Sequence, residues 1–311
     1  MWLEAAFKKE IKMDTIKVAC WNIYYSDRLV ENGKIKPSSQ TRADNVGQII
    51  ETIDGDVLGI VECMPESKLK VFRDTYCDFY DIVVEGNSKE QNLGILYYPY
   101  TVNVEKLTYN KKKWQARIGD DSNTKQYQFS RKPLIVKVTP KIGDKTPFIL
   151  AVVHQKSKKT YSSDQKEPIN NRKKIIAQGL RLREIIFKMM DDGIADRFMI
   201  MGDINDGPGF DKHEALLLKS GVESHIGSVL APETVLHSFV DLSDGVGIPS
   251  HSFKPPSQID HMLYTHDMAH GTKKPKVKNN SGKVRTDLVD IKKDGKKRDS
   301  DHAPIELKVD V

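Results

Sequence analysis

Short apolar runs recur along the chain, and each ends in a polar residue. Val18 to Trp21 runs into Asn22, Val57 to Val61 into Glu62, and Phe148 to Val153 into His154. Phe198 to Met201 stops at Gly202 and is followed by Asp203 and Asn205, with Gly207-Pro208 turning the chain. Later segments read Ser257-Gln258-Ile259-Asp260-His261-Met262-Leu263-Tyr264 and Asp299-Ser300-Asp301-His302-Ala303-Pro304-Ile305. Apolar runs this short, bounded by turn signals, read as buried strands. Strand side chains alternate, so Asp203 and Asn205 are expected on one face. A carboxylate and a carboxamide at the carboxyl end of a buried strand suit a hard divalent cation and a phosphate oxygen.

Tyr80–Val84, Gly94–Tyr98, Thr101–Lys106 and Leu134–Val138 also read as strands. Helical spacing appears at Val46, Ile49 and Ile50, predicting a helix over Arg42–Thr52 with Ser39 or Thr41 as its cap. The longest helix is expected over Asn170–Met190. There Ile175, Ile176, Leu180, Leu182, Ile185, Ile186 and Met189 recur at steps of three and four. His213–Ser220 reads as a short helix, and Gly271–Lys297 as an excursion or hairpin. Strands interspersed with helices predict a mixed α/β layered domain.

The 311 residues carry no Gly/Ser/Pro-rich linker, and the polar strand ends span nearly the whole length. One domain over 14–311, with 1–13 as an N-terminal extension, is therefore expected. No apolar run approaches the roughly 20 residues a membrane-spanning helix needs. Cys20, Cys63 and Cys77 are odd in number and lack metal-ligand spacing, which points to a reduced, cytoplasmic protein. No heptad is left over to suggest an oligomer, so a monomer is expected.

The net charge of +6 is modest but unevenly placed. Lys111-Lys112-Lys113 precede Trp114, while Lys156, Lys158 and Lys159 follow His154. Many more, among them Lys292, Lys293, Lys296 and Lys297, crowd the stretch before Asp301. Basic clusters beside a phosphate-handling site would attract a polyanion.

Taken in order, Asn22, Glu62, His154, Asp203 with Asn205, Asp260 and Asp301-His302 resemble the motif set of the endonuclease/exonuclease/phosphatase superfamily. The resemblance runs from about Ile16 to the C-terminus. Phe129–Lys137 and Asn92–Tyr97 are similar to that family's central strands. The resemblance implies a deoxyribonuclease I-like four-layer α/β sandwich, two mixed β-sheets packed face to face and flanked by helices. It also implies a phosphodiesterase dependent on Mg²⁺ or Mn²⁺, with Glu62, Asn22 and Asp301 as metal residues. His302 becomes a base oriented by Asp260, with His154 at the leaving group or the scissile phosphate. Asp203 and Asn205 would face the cation or the attacking water, and His302 and Asp203 compete as proton acceptor. Arg131, opening a strand after Phe129-Ser130, is an implied phosphate contact, as are Lys156 and Ser157.

Departures from the family's branches narrow the reading. Abasic-site endonucleases carry an acidic residue where this chain has Tyr24, and a Tyr where it has His154. Inositol-polyphosphate 5-phosphatases carry Trp-x-Asp-Arg where this chain has Ser257-Gln258-Ile259-Asp260-His261. His154-Gln155-Lys156-Ser157 and Gly202-Asp203-Ile204-Asn205 resemble bacterial deoxyribonuclease I-like nucleases most. The expectation is a nuclease cutting DNA, and RNA as an extension of the same chemistry. The alternatives are a phosphatase or phosphodiesterase acting on a small or lipid phosphoester, and a binding module that has lost its chemistry.

Overall fold

A computed structural model describes residues 14–86, 91–119, 121–160, 166–207, 211–226, 236–238, 258–289 and 299–311. The expected N-terminal extension and the lysines at 292–297 lie outside these residues.

The strands are β1 (Thr15–Asn22), β2 (Val30–Glu31), β3 (Lys34–Ile35), β4 (Val57–Cys63), β5 (Asp81–Glu85), β6 (Asn92–Tyr97) and β7 (Val102–Lys106). Then come β8 (Trp114–Ala116), β9 (Lys125–Tyr127), β10 (Leu134–Pro140), β11 (Phe148–His154) and β12 (Phe198–Asp203). The chain ends with β13 (Leu236–Ser238), β14 (Asp260–Thr265), β15 (Lys276–Val277), β16 (Lys283–Val284) and β17 (Ile305–Asp310). The helices are α1 (Gln40–Ile53), α2 (Glu66–Tyr76), α3 (Glu167–Asp191), α4 (Lys212–Leu217), α5 (Gly221–Ile226) and α6 (His266–His270).

Two mixed sheets form the centre. The first has the order β15-β17-β1-β4-β6-β5, with β16 also on β17, and the second the order β13-β14-β12-β11-β10-β7. Parallel pairs, β1 with β4 and β11 with β12, sit among antiparallel ones. Strand alternation explains the layering. Ile16, Val18 and Cys20 of β1 point between the sheets, where they join Val136, Leu150, Val152, Met199 and Met201 of the second sheet. Ala19 and Trp21 point the other way, onto Val46, Ile49 and Ile50 of α1 and Phe72 of α2. The outer face of the second sheet, with Ile149, Ala151 and Ile200, is covered by Leu182, Ile185, Ile186 and Met189 of α3. The result is helix, sheet, sheet, helix. Each of these fully buried aliphatic side chains contributes roughly 1.5–3 kcal/mol of burial.

The sheets pack closely at Gly59, where a Cβ would come 2.6 Å from Met201 Cε. Helices fall within a few residues of their expected bounds, but their caps differ. Ser39 occupies the α1 N-cap without a side-chain cap bond; its hydroxyl donates to the Arg28 carbonyl instead (3.1 Å). The short helix expected over His213–Ser220 is α4, and a second short helix, α5, follows it from Gly221. Asp211 caps α4 in a reciprocal box with Glu214, and Leu218 in the left-handed region (φ 51°) ends it. The Gly271–Lys297 excursion includes β15 and β16, which both pair with β17. No helix among the described residues is long and apolar enough to cross a membrane.

Candidate active site

Register explains why polar strand ends gather. In the second sheet His154 pairs with Asp203, and Asp203 pairs with Asp260, so three neighbouring strands present ionisable residues side by side. In the first sheet β1 ends at Asn22 opposite Val61, immediately before Glu62. The two groups meet across the sandwich. Asn22 Nδ2 donates to Asp203 Oδ2 (3.1 Å) and lies 3.3 Å from His302 Nε2.

His302 sits on the loop entering β17, and that loop is fastened to the end of β1. The Trp21 indole donates to the His302 carbonyl (2.9 Å). The Ser300 hydroxyl donates to the Asn22 carbonyl and accepts from the His302 amide (3.1 Å). Arg42 of α1 holds the Asp299 carbonyl (2.9 Å). With its backbone fixed, the His302 ring places Nδ1 2.7 Å from Asp260 Oδ2. Burial alone would lower the His302 pKa, but Asp260, with Asp203 and Asp301, overcomes it and raises the pKa to about 10. Asp203 is pushed up to about 7, first by burial and then by the charge of Asp260.

Asp203 is itself held from two sides. Gly202, at φ +136°, precedes it; a Cβ there would lie 2.1 Å from the Val153 carbonyl oxygen, so only glycine fits. Asn205 corrects the strand-alternation reading. The strand ends at Asp203, and Asn205 turns into the left-handed region (φ 57°). Its amide then donates to Asp203 Oδ1 (2.8 Å) and its side chain to the Gln155 carbonyl (3.2 Å).

Glu62 is delivered by a break in β4. Val57 and Val61 face the other sheet and Leu58 and Ile60 face the helices, so Glu62 should face the helices too. Instead the pairing with β6 shifts between Ile60 and Cys63, and Glu62 takes φ 54°. Cys63 then occupies the helix-facing side. A bulge of this kind re-aims one side chain. Oε2 accepts the Tyr25 amide (2.9 Å). Burial raises the Glu62 pKa, and the charges of His302, Asp301 and Arg131 act on it, which places Glu62 in the same cluster.

His154 is buried, with Nε2 3.7 Å from Asp203 Oδ2, too long for a hydrogen bond. Burial, reinforced by Arg131 and His302, holds it neutral. Arg131 is not at a strand opening as expected, because β10 begins at Leu134. It lies in the preceding loop, donating to the Gln155 carbonyl (3.3 Å) and to Gln91. Lys156 and Ser157 fold into their own loop. Lys156 Nζ donates to the Ser157 carbonyl (3.1 Å), and Ser157 Oγ accepts the Lys159 amide (3.2 Å).

Several supporting residues were not singled out by sequence. Gln155 joins the Asp203 carbonyl through its amide, carries Asn205 and Arg131 on its carbonyl, and meets His225 Nε2 through its side chain (3.1 Å). His225 Nδ1 donates to the Gly221 carbonyl (2.7 Å). His261 Nε2 reaches the Asp206 carbonyl (2.8 Å). A lone histidine carries no such signal; Gln155 and Asp206, the partners that tie these rings to the site, lie tens of residues away. Arg172 pairs with Asp211 (2.7 Å) rather than with a site carboxylate. Lys158 belongs to Asp206, Asp211 and Glu214, so it is not a spare cation for substrate. Cys20, Cys63 and Cys77 are all free and buried.

Asp203, Asp260 and His302 offer ligand atoms within 4.8 Å of one another, a set able to hold a cation. One Asp260 oxygen is already committed to His302 Nδ1, however. Asn22 Oδ1 is buried without a hydrogen-bond partner, and an orphaned buried carbonyl oxygen costs about 1–3 kcal/mol unless something polar meets it. The buried Glu62 carboxylate feels the charge of Asp301. The hard oxygen donors there fit Mg²⁺ or Mn²⁺.

Comparison with known proteins agrees with this architecture. The sequence matches the Endonuclease/Exonuclease/phosphatase family over residues 19–302, and the chain belongs to that family, whose members hydrolyse phosphoester bonds. Its fold resembles a humanized TDP2 of D. rerio, with TM-score 0.55, 13% identity, and coverage of 96% of this chain and 99% of that one. It also resembles a family protein of Bacteroides thetaiotaomicron (TM-score 0.51, 15% identity, 95% and 97% coverage). The human Nocturnin catalytic domain is similar at TM-score 0.52, 15% identity, and 95% and 94% coverage. These identities speak for a common fold. No curated protein matches the sequence at a significant level.

Proposed function

We propose that this chain is a divalent-metal-dependent phosphodiesterase whose substrate is a nucleic acid, DNA before RNA. The observation that carries the reading is the Asn22 amide lying between Asp203 and His302, with His302 oriented by Asp260. A buried carboxylate, a histidine with a fixed ring and an amide converging on one point suit in-line hydrolysis at phosphorus.

Glu62, Asn22 and Asp301 would hold Mg²⁺ or Mn²⁺, which when bound neutralises phosphoryl oxygens and acidifies water. Asp203, with a pKa of about 7, is matched to accept a proton from water at neutral pH. Its Oδ1 accepts the Asn205 amide and its Oδ2 the Asn22 side-chain amide, which together hold the carboxylate in place. His302, at about 10, keeps its proton and presents Nε2–H to a phosphoryl oxygen as negative charge grows there. His154, neutral and with Nδ1 lacking a partner, donates to a second oxygen or to the leaving group. The Arg131 guanidinium, tethered through Gln155, holds the phosphate against them. DNA is favoured by a structural neighbour, the D. rerio TDP2 complexed with single strand DNA product.

The test is hydrolysis of supercoiled plasmid, single-stranded DNA and RNA with Mg²⁺ or Mn²⁺, with a chelator and the Asp203→Asn variant as controls. Metal-dependent cutting lost in the variant is expected. If no polymer is cut while small phosphoesters release phosphate, the nucleic-acid reading fails.

A further inference from the structure

The β8–β9 hairpin, the loop before β10 and the exposed side of α3 enclose a groove of about 320 Å³. Lys113, Gln126, Tyr127, Gln128, Ser130, Lys156 and Lys174 line it. It adjoins the candidate active site. Ser130 precedes Arg131, Lys156 follows His154 by two residues, and Arg131 is bonded to the Gln155 carbonyl between them.

The groove floor is tied together. Gln178 of α3, 1% exposed, donates to the Gln128 carbonyl (3.0 Å) and to Ser130 Oγ (2.9 Å). Its Oε1 accepts the Lys156 amide (3.3 Å). One buried side chain therefore fixes both walls to the helix. Among the described residues no carboxylate lines the groove, and no ion pair engages Lys113 or Lys174. This contrasts with Lys158 and Lys111, each of which is matched by a carboxylate. Burial, and then the charges of Lys174 and Arg131, lower the Lys156 pKa, with Glu167 opposing. Like charges set side by side destabilise the fold unless an anion arrives to meet them.

We infer that this groove holds one strand of a polynucleotide, carrying the phosphates that flank the scissile one. The inference rests on the phosphodiesterase reading and adds to it that the substrate continues past the reacting centre. The volume lies at the lower end of ligand clefts, roughly 300–1,000 Å³. That is room for about one nucleotide unit and not for a duplex. Its exposed lining is amides, a hydroxyl and ammonium groups, and its one aromatic ring, Tyr127, is buried, so it grips backbone phosphates and sugars rather than stacking bases. A substrate ending at the scissile phosphate would make no use of it.

The experiment is fluorescence anisotropy of a labelled oligothymidylate across a KCl series, with a chelator present so that nothing is cut. It compares the wild type with Lys113→Gln/Lys174→Gln and with a charge-matched control, Lys70→Gln/Lys188→Gln, on exposed helix positions elsewhere. Each lost contact to a single strand should lower the slope of log K against log salt by about 0.7. The groove variant should thus lose about 1.4 in slope and about tenfold or more in low-salt affinity, while the control keeps the wild-type slope. Equal slopes for wild type and groove variant, an equal loss in the control, or no binding by the wild type would overturn the groove. The two readings fail separately. Groove-dependent binding without cutting in Mg²⁺ or Mn²⁺ removes the nuclease assignment alone, and cutting with unchanged slopes removes the groove alone.

Discussion

His302 Nδ1 and Asp260 Oδ2 stand 2.7 Å apart although they reach the contact from different sheets. Asp260 does two things there: it fixes the ring, and with Asp203 and Asp301 it raises the ring's pKa against the pull of burial. The Asp260→Asn variant keeps the shape and removes the charge. We expect kcat to fall by about 10²–10⁴-fold, with the His302 ring titrating at a lower pH by NMR. A variant with reduced kcat but an unmoved ring titration would show that Asp260 is merely structural.

His302→Ala and Asp203→Asn should each abolish turnover while circular dichroism stays close to wild type, with the His302→Ala midpoint lowered because Asp260 loses its buried partner. Both side chains lie at the rim of the sandwich, outside the three main apolar clusters. Near-normal hydrolysis by both purified proteins would remove the site assignment.

Glu62→Gln should weaken Mn²⁺ binding by at least about tenfold, since a hard cation loses a carboxylate donor. Titration calorimetry on the folded protein reads this without any turnover. Unchanged affinity would move the cation to Asp203, Asp260 and His302, the other donor set available.

His225 gives the protein an acid-sensitive step. Burial pushes its pKa from 6.5 down to about 4, the Gly221 carbonyl bond opposing. Above pH 6.5 the ring is neutral both folded and unfolded, and its contribution is complete. As pH falls from 6.5 toward 4, the unfolded chain takes up a proton that the folded one refuses, and stability is lost. The most this one group can remove is roughly 3 kcal/mol. His225→Gln should flatten the urea-unfolding free energy across that window, and wild-type and variant profiles that run parallel there would refute it.

The sequence disclosed what depends on local pattern. Strand ends, the long helix and the order of polar residues are all set by periodicity within a dozen residues, and the structure places Asn22, Asp203, Asp260 and His302 together from that order. What it hid depends on backbone irregularity or distant partners. Glu62 reaches the cluster because the ladder slips between Ile60 and Cys63, and a non-glycine left-handed residue has no composition signal. Asn205 defeated strand alternation for the same reason. Arg131 was placed at a strand opening because apolar residues follow it, yet Pro133 precedes the start of β10. Gln155, His225 and the carboxylates around Lys158 act through contacts across dozens of residues, which no single-chain pattern encodes.

The Asn22 bond to Asp203 bridges the seam between the two sheets, so the distance between its ends measures how those sheets are seated. Nothing covalent crosses at that point; Met201, Val152 and Cys20, which crowd around Gly59, set the spacing. A truncation there, such as Met201→Ala, would let one sheet settle against the other. Because a misplacement of about 1 Å can cost a hundredfold in rate, catalysis would register the shift of the seam on top of the roughly 2–5 kcal/mol that the truncation takes from stability. The reaction centre thus doubles as a vernier for the core beneath it.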